Sequence, residues 1–285
     1  KGCESAHILR PGYAIEYDFV DPTQLYPWLE TKTVAGLFLA GQINGTSGYE
    51  EAGSQGLMAG INAALRVKGL EPLVLRRDQA YIGVLIDDLV TKGTSEPYRM
   101  LTSRCEYRLL LRHDNADVRL SPTGRTVGLL PENEWDILQK KWRDIEEETQ
   151  RIKNIKIPPT EKINQTLRGA DSSPISEGVP AAELLKRPEI SWEVFSEITS
   201  SKIEKELGER ISVSAKYEGY IDRQMRQVEK FRRMEILKFP ENFDFSEVSG
   251  LSAEGKQKLL KFSPRTLGQA SRISGIPPTD IQLLW

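Results

Sequence analysis

Cysteine and histidine are scarce: Cys3 and Cys105 are the only thiols and His7 and His113 the only imidazoles in 285 residues. Cysteines so far apart make neither a disulfide framework nor a Cys-x-x-Cys site, and two histidines leave little for a zinc centre, so no metal is expected. No run approaches the roughly 20 consecutive apolar residues that a membrane-spanning helix needs, and no membrane role is expected. Neither sign of charge dominates. The 39 basic and 41 acidic residues leave a net charge of −2, without the global positive field that attracts nucleic acid. What is present is 39% hydrophobic residues, enough for a sizeable core, with 28% charged residues and a mean hydropathy of −0.43. At about 150 residues per domain this length suggests roughly two domains. With no signal peptide, a cytosolic or organelle-interior location is expected. The chain opens at Lys1, and Gly12 to Asp18 already reads like the middle of a domain, so it is expected to be a piece of a longer protein.

Up to about Gly69 the chain is rich in Gly and Ala; beyond it the sequence becomes charged and helical. Alternation predicts a strand over 13–17, and the apolar run 36–40 a short buried strand. A Gly-rich turn follows, then a helix from about Glu50 to Val67. Small residues repeat along it at helical spacing: Ala52/Gly53, Gly56, Ala59/Gly60 and Ala63/Ala64. A helical glycine costs about 1 kcal/mol relative to alanine, so the repeat implies a face pressed against a sheet or a ligand. Strand, Gly turn and helix together read as α/β.

The remainder predicts mostly helix. Pro131 should be the first helical residue of a helix carrying Trp135, Leu138, Trp142, Ile145 and Ile152 as one stripe, stopped by Pro158-Pro159. Residues 169–180 read as a loop or linker. A long helix is predicted from about Val213 to Leu237. Three shorter ones should follow: Ser252 capping 253–262, Pro264 opening 264–274 with Gly275 closing it, and Thr279 capping the last turn. The fold class is thus α+β, with domains expected at 1–70, 71–212 and 213–285.

The chemistry concentrates in the stretch from Ala40 to Glu51. A buried strand ends there in a turn without side-chain bulk, and a helix begins just after. Free backbone N–H groups at a helix start favour an anion or an electron-rich ring edge. Gln42 and Asn44 add hydrogen-bonding groups where open α/β sheets bind ligands. Read alone, the same residues would also suit a tight strand–helix connection.

The run AGQINGTSGYEEAGSQGLMAGINAA (40–64) resembles, almost position for position, a signature of the GidA/MnmG family of tRNA uridine 5-carboxymethylaminomethyl modification enzymes. The resemblance continues through RPGYAIEYD (10–18), EPYRMLTSRCEYRLLLRHDNADVRL (96–120), YEGYIDRQ (217–224) and TLGQASRISGIPPTDI (266–281), essentially the whole chain. It implies the C-terminal piece of a Rossmann-like FAD-binding domain followed by a mainly α-helical domain. The implied enzyme modifies the wobble uridine at C5 with a GTPase partner, taking a methylene group from methylenetetrahydrofolate, with NADH as reductant. In family terms Gln42 and its neighbours Gly41, Asn44, Gly45, Gly48, Tyr49 and Glu50 line the FAD site. The family's GxGxxG phosphate loop and its catalytic cysteine segments are not in this sequence, so no catalytic residue is assigned, and Cys3, Cys105 and His113 are expected to be structural or incidental. The resemblance also implies a homodimer, and a C-terminal helical end (251–285) that docks the GTPase. Most apolar residues of that end (Leu251, Leu259, Leu260, Ile273, Ile276, Leu283 and Leu284) should be core.

Two arginine-rich stretches are candidates for tRNA. Arg99, Arg104, Arg108, Arg112, Arg119 and Arg125 outnumber Glu106, Asp114 and Asp117. Were 102–112 helical, Arg104, Arg108 and Arg112 would share one face for phosphates, with Tyr98 or Tyr107 to stack on an unpaired base. Pairing with the neighbouring carboxylates is the competing expectation. The second row, Arg223, Arg226, Lys230 and Arg233, also lies on one helical face, interleaved with Asp222, Glu229 and Glu235, so a solvated, partly paired face competes with tRNA contact. Two other readings remain. One is a folate- and FAD-dependent tRNA uridine methyltransferase, which shares the AGQ…GY motif without a matching helical extension. The other is that the chain by itself is a non-catalytic module binding tRNA and the GTPase.

Overall fold

A computed structural model of the chain describes every residue except 1, 3, 8, 11, 13–15, 241 and 242. The expected strand at 13–17 and Cys3 therefore fall on or among positions outside the described residues. Packing divides the chain into two units, Lys1–Leu73 with Leu85–Met100, and Val74–Val84 with Leu101–Trp285. This differs from the expected ranges in two ways. Residues 85–100 join the first unit, and the second runs through 212/213 without a break. Among the described residues the structure is mostly helical, and its one ladder is the two-residue antiparallel pair β1 (Lys156–Ile157) and β2 (Val179–Pro180).

In the first unit the expected strand 36–40 does not form. Gly36 takes φ +83°, which turns the chain, and only Phe38 makes a single bridge, to Glu30. Side chains hold this irregular segment instead. The buried Glu30 carboxylate accepts from the Gly36 amide (2.6 Å) and the Trp28 indole (3.0 Å), and it pairs with Arg66 at 2.7 Å. The Gly36 amide is the largest influence lowering its pKa. Arg66 lies on helix α1 (Tyr49–Val67), so the ion pair ties the loop to the helix. Buried Asn62 of α1 clamps the return chain, accepting from Leu73 N–H at 2.7 Å and donating to Leu73 C=O at 3.0 Å.

Helix α2 spans Tyr81–Lys92, with the unit boundary falling at 84/85 within it. There follow α3 (Ala116–Thr126), α4 (Glu132–Asn154), α5 (Glu161–Gly169), α6 (Ala181–Leu185), α7 (Trp192–Thr199) and α8 (Lys205–Lys216). The stripe predicted on α4 is present, from half-buried Trp135, which meets Trp142 edge-to-face at 5.4 Å, down to buried Ile152. Pro131 stands one position earlier than expected, as the extended residue before the helix. Ile152, Leu167, Leu184, Leu185, Trp192, Phe195 and Ile211 form one apolar core. Residues 170–178 are irregular but packed, since Ile175 is buried in that core and its backbone is held by Asn164. Asp117 joins three helices of this unit, accepting from Trp142 at 3.0 Å and pairing with Arg210 at 2.9 Å.

The helix expected over 213–237 is two helices, α8 and α9 (Glu218–Ile236), interrupted at Tyr217, where ψ rises to 7°. Gly219 stands two residues on, and glycine is a poor helix propagator. Then come α10 (Ala253–Phe262), α11 (Leu267–Arg272) and α12 (Pro278–Leu284) around a second core of Met234, Phe245, Leu259, Leu267, Ile273 and Ile281. Ser252 caps α10 as expected, its hydroxyl accepting from Gly255 N–H at 3.0 Å. Two expected helix starts are corrected. Thr266, with extended backbone and its hydroxyl accepting from Gln269 N–H, starts α11 later than Pro264. Thr279 lies inside α12, whose cap position is Pro277.

Candidate functional site

Two regions bear on function, one in each unit. In the first unit, Ala40 is extended and Gly41, at φ +86°, enters a tight turn over Gly41–Asn44 that Gly45, at φ +77°, closes. Only glycine takes such angles without strain. A Cβ on Gly45 would also press into Phe19 and Thr94. The turn is held from behind by Gln55 of α1, which is fully buried. Its Oε1 accepts from Gly41 N–H (3.1 Å) and Asn44 Nδ2 (2.9 Å), while its Nε2 donates to Thr46 Oγ1 (2.9 Å) and Glu51 C=O (3.1 Å).

Glu51, also buried, organises the other side. Its carboxylate accepts from Met100 N–H at 2.8 Å and from Arg99 Nε at 3.1 Å. Burial alone would raise its pKa, but the Met100 amide and Arg99 guanidinium outweigh burial and hold it below the usual carboxylate value. Gly48, at the cap position of α1, lies so close that a Cβ would overlap this carboxylate.

The expected cofactor residues therefore divide into two groups. Gly41, Asn44 and Gly48 are buried and Gly45 is partly buried; these shape the turn. Gln42, Tyr49 and Glu50 are exposed and accessible to a ligand. Gly48 provides no side-chain cap for α1, and of the first-turn amides that of Glu51 is taken by its own carboxylate. The helix face running from that end is small and open: Cβ atoms built on Gly53, Gly56 and Gly60 meet nothing within 4 Å. Such a face offers amide donors, a carboxamide and a flat surface. Gln55 and Glu51 were missed from sequence. The available signal was an amide and a carboxylate one turn apart in a helix rich in small residues.

In the second unit the first arginine row does not assemble. Residues 102–112 are not a helix: a single 3₁₀ turn spans Thr102–Arg104, and Cys105 is extended. Buried Arg77 accounts for the path, since its guanidinium donates to the Glu106 carboxylate (2.7 Å) and to the Arg104 carbonyl (3.4 Å). Satisfying a buried cation outweighs the modest helix preference of this stretch. Arg104, Arg108 and Arg112 therefore do not share a helical face. Arg112 pairs with Asp114 at 2.9 Å and donates to Leu109 C=O, and Arg99, in the first unit, is paired with Glu51. Arg104 and Arg108 are exposed. The stacking role expected of Tyr98 or Tyr107 is corrected, because both are buried. Tyr98 donates to Asp88 at 2.8 Å, and burial pushes the Tyr107 hydroxyl up to about 12. Cys105 is buried and burial raises its thiol pKa, which keeps it protonated and unreactive.

The second row is present on α9. Arg223, Arg226, Lys230 and Arg233 are all exposed. Of the acids expected to neutralise them, Glu235 is turned away onto Arg272 and Thr266, and Glu229 reaches only Arg233, at 3.7 Å. Among the described residues no carboxylate pairs with Arg223, Arg226 or Lys230. At the C-terminal end Leu259, Ile273 and Ile276 are core, but Leu260, Leu283 and Trp285 remain exposed. No described helix is long and apolar enough to cross a membrane.

Comparison with known proteins adds to this geometry. Residues 1–71 match the family described as glucose inhibited division protein A. Residues 132–225 match the tRNA modifying enzyme MnmG/GidA C-terminal helical domain, and residues 227–285 the C-terminal helical bundle of the same enzymes. The chain is 54% identical over 285 residues to the tRNA uridine 5-carboxymethylaminomethyl modification enzyme MnmG of Exiguobacterium sibiricum, covering 99% of this chain and 45% of that protein. It is equally similar to the MnmG of Caldicellulosiruptor saccharolyticus, at 54% identity, with 99% of this chain and 46% of that protein covered. The crystal structure of Aquifex aeolicus GidA, form II, matches with a TM-score of 0.79 and 42% identity, over 93% of this chain and 42% of that one. The chain thus spans about half the length of the relatives it matches.

Proposed function

The chain belongs to the GidA/MnmG family, and from that premise we propose that it is the C-terminal portion of an FAD-dependent tRNA-modifying enzyme. That enzyme would add a carboxymethylaminomethyl-type group to C5 of the wobble uridine. The observation that carries the reading is the Gln55-braced turn over Gly41–Asn44 opening onto an uncapped, glycine-faced helix.

These residues fit one side of a flavin site. The amides at the start of α1 and the positive end of its dipole would hold negative charge at the ring edge. Exposed Gln42 would hydrogen-bond the ring, and the open glycine face would let a planar system lie close to the helix. Bound there, FAD supplies the redox chemistry by which a methylene group from methylenetetrahydrofolate reaches the uridine, with NADH as reductant. The phosphate loop and catalytic cysteines that the resemblance implies find no match among these 285 residues, and we read the chain by itself as binding and not catalysing. The helical extension from 132 onward supports this reading over the related methyltransferase. The exposed Leu260, Leu283 and Trp285 support docking of a GTPase partner by the C-terminal helices. A homodimer working in the cytoplasm, or in an organelle interior, completes the proposal.

The tRNA part rests on the α9 row, in which Arg223, Arg226 and Lys230 pair with no carboxylate among the described residues, and is tested by salt dependence. Arg226→Glu with Lys230→Glu should weaken tRNA binding by the 285-residue chain. It should also flatten the slope of log affinity against log salt by roughly one to two, the share of two phosphate contacts. An unchanged slope would remove α9 from the interface.

A further inference from the structure

Resting on the tRNA reading above, we propose that Tyr217 and Tyr220 form a stacking platform for an unpaired RNA base, with Arg223 beside it and Arg226 and Lys230 taking the adjoining phosphates. Tyr217 is 45% and Tyr220 58% exposed. Their rings lie 6.4 Å apart, tilted by 55°, and the Arg223 guanidinium sits 5.9 Å over the Tyr220 ring. Neither hydroxyl makes a hydrogen bond among the described residues. The pair is nonetheless fixed by the backbone: Tyr217 N–H donates to Val213 at the end of α8, and the amides of Tyr220 and Ile221 both donate to the Tyr217 carbonyl. The break between α8 and α9 thus presents two rings on a rigid corner, not on a mobile loop.

Single exposed aromatic residues are common on protein surfaces and need no function. Here two adjacent rings, one with the Arg223 guanidinium over it, lead directly into Arg226 and Lys230, which pair with no carboxylate among the described residues. Single-stranded RNA is bound in this way, with bases stacked on tyrosine or arginine planes and the backbone tracked by positive charge. Stacking is also tolerant of sequence, because every base has a flat face. Tyrosine and arginine also serve protein interfaces, but rings followed by a row of cations along one helix match a base and its adjoining phosphates. The assignment replaces Tyr98 and Tyr107, whose burial removes them, with tyrosines at the start of the cationic row.

The test compares the 285-residue chain on two RNAs at one salt concentration: a hairpin with an unpaired loop, and a fully paired duplex of equal length. Tyr220→Ala should weaken hairpin binding roughly 5- to 100-fold, the range one stacked base supplies, while duplex affinity stays unchanged. Tyr220→Leu, which keeps bulk without an aromatic face, should lose as much, and Tyr220→Phe should retain the wild-type value. Equal losses on both RNAs, no loss on either, or full binding by Tyr220→Leu would overturn the platform while leaving the tRNA reading intact. Failure of the unsubstituted chain to bind either RNA would overturn the tRNA reading and the platform with it.

Discussion

Gln55→Ala is expected to destabilise the first unit by about 3 to 5 kcal/mol, far more than its single amide suggests. The side chain is fully buried and makes four hydrogen bonds. Each bond contributes only ~1 kcal/mol net, but its removal strands partners that water cannot reach, at ~1 to 3 kcal/mol apiece. Asn44 suffers most. It is fully buried, its Oδ1 already lacks a partner, and its Nδ2 would keep only Leu39 C=O. The turn would then lose the support that holds Gly41 and Gly45 at positive φ. Denaturant unfolding gives the magnitude, and hydrogen exchange at the Gly41 amide gives the location. A cost below about 1 kcal/mol would mean that the turn does not depend on Gln55.

The second large effect lies in the other unit, at Gly208 of α8. A Cβ there would overlap the indole of Trp192, which is buried in the core with Phe195 and Ile211. Two effects oppose each other in Gly208→Ala. The helix gains about 1 kcal/mol from alanine. The core must expel or tilt a buried tryptophan, and overpacking of this kind costs roughly 1 to 3 kcal/mol, occasionally more. The clash is with a rigid ring at its centre, so the cost should win by up to about 2 kcal/mol and lower the melting temperature by a few degrees. Gly53→Ala on α1 is the matched control. Its Cβ enters open space, so only the propensity gain remains, and this chain should be stabilised by up to about 1 kcal/mol. A stabilising Gly208→Ala would show that Trp192 packs elsewhere.

What could be read in advance was what local patterning determines. The small residues of α1 announced a helix, although the face expected to press on a sheet or a ligand is open at Gly53, Gly56 and Gly60; the spaced tryptophans and isoleucines announced α4, and Ser252 announced its own cap. The failures share a different cause. Residues 36–40 are apolar enough for a strand, yet the turn at Gly36 and the Glu30 carboxylate that binds its amide decide their path. The 102–112 segment has helical arginine spacing, but Arg77, far away in sequence, needs Glu106 and the Arg104 carbonyl. Tyr98 and Tyr107 looked accessible beside arginines, and only tertiary packing puts them inside. On α9 the solvated, partly paired face read from the interleaved acids is what the structure has, with Glu229 on Arg233, but that Glu235 leaves the row for Arg272 was not legible. Of the candidate site, Gln42, Tyr49 and Glu50 were singled out from the motif, and the structure leaves them exposed. Their support by Gln55 and Glu51 depends on where a helix folds back, and no spacing rule records that.

The most direct measurement replaces the matching 45% of the Exiguobacterium sibiricum MnmG with this chain and assays the chimera for bound flavin and for modified uridine in tRNA. If this chain is the C-terminal portion of such an enzyme, the chimera will purify with a flavin absorption band and produce the modified uridine. Gln42→Ala within it will weaken the flavin band. A folded chimera without bound flavin, or one that binds flavin and leaves tRNA unmodified, would contradict the account.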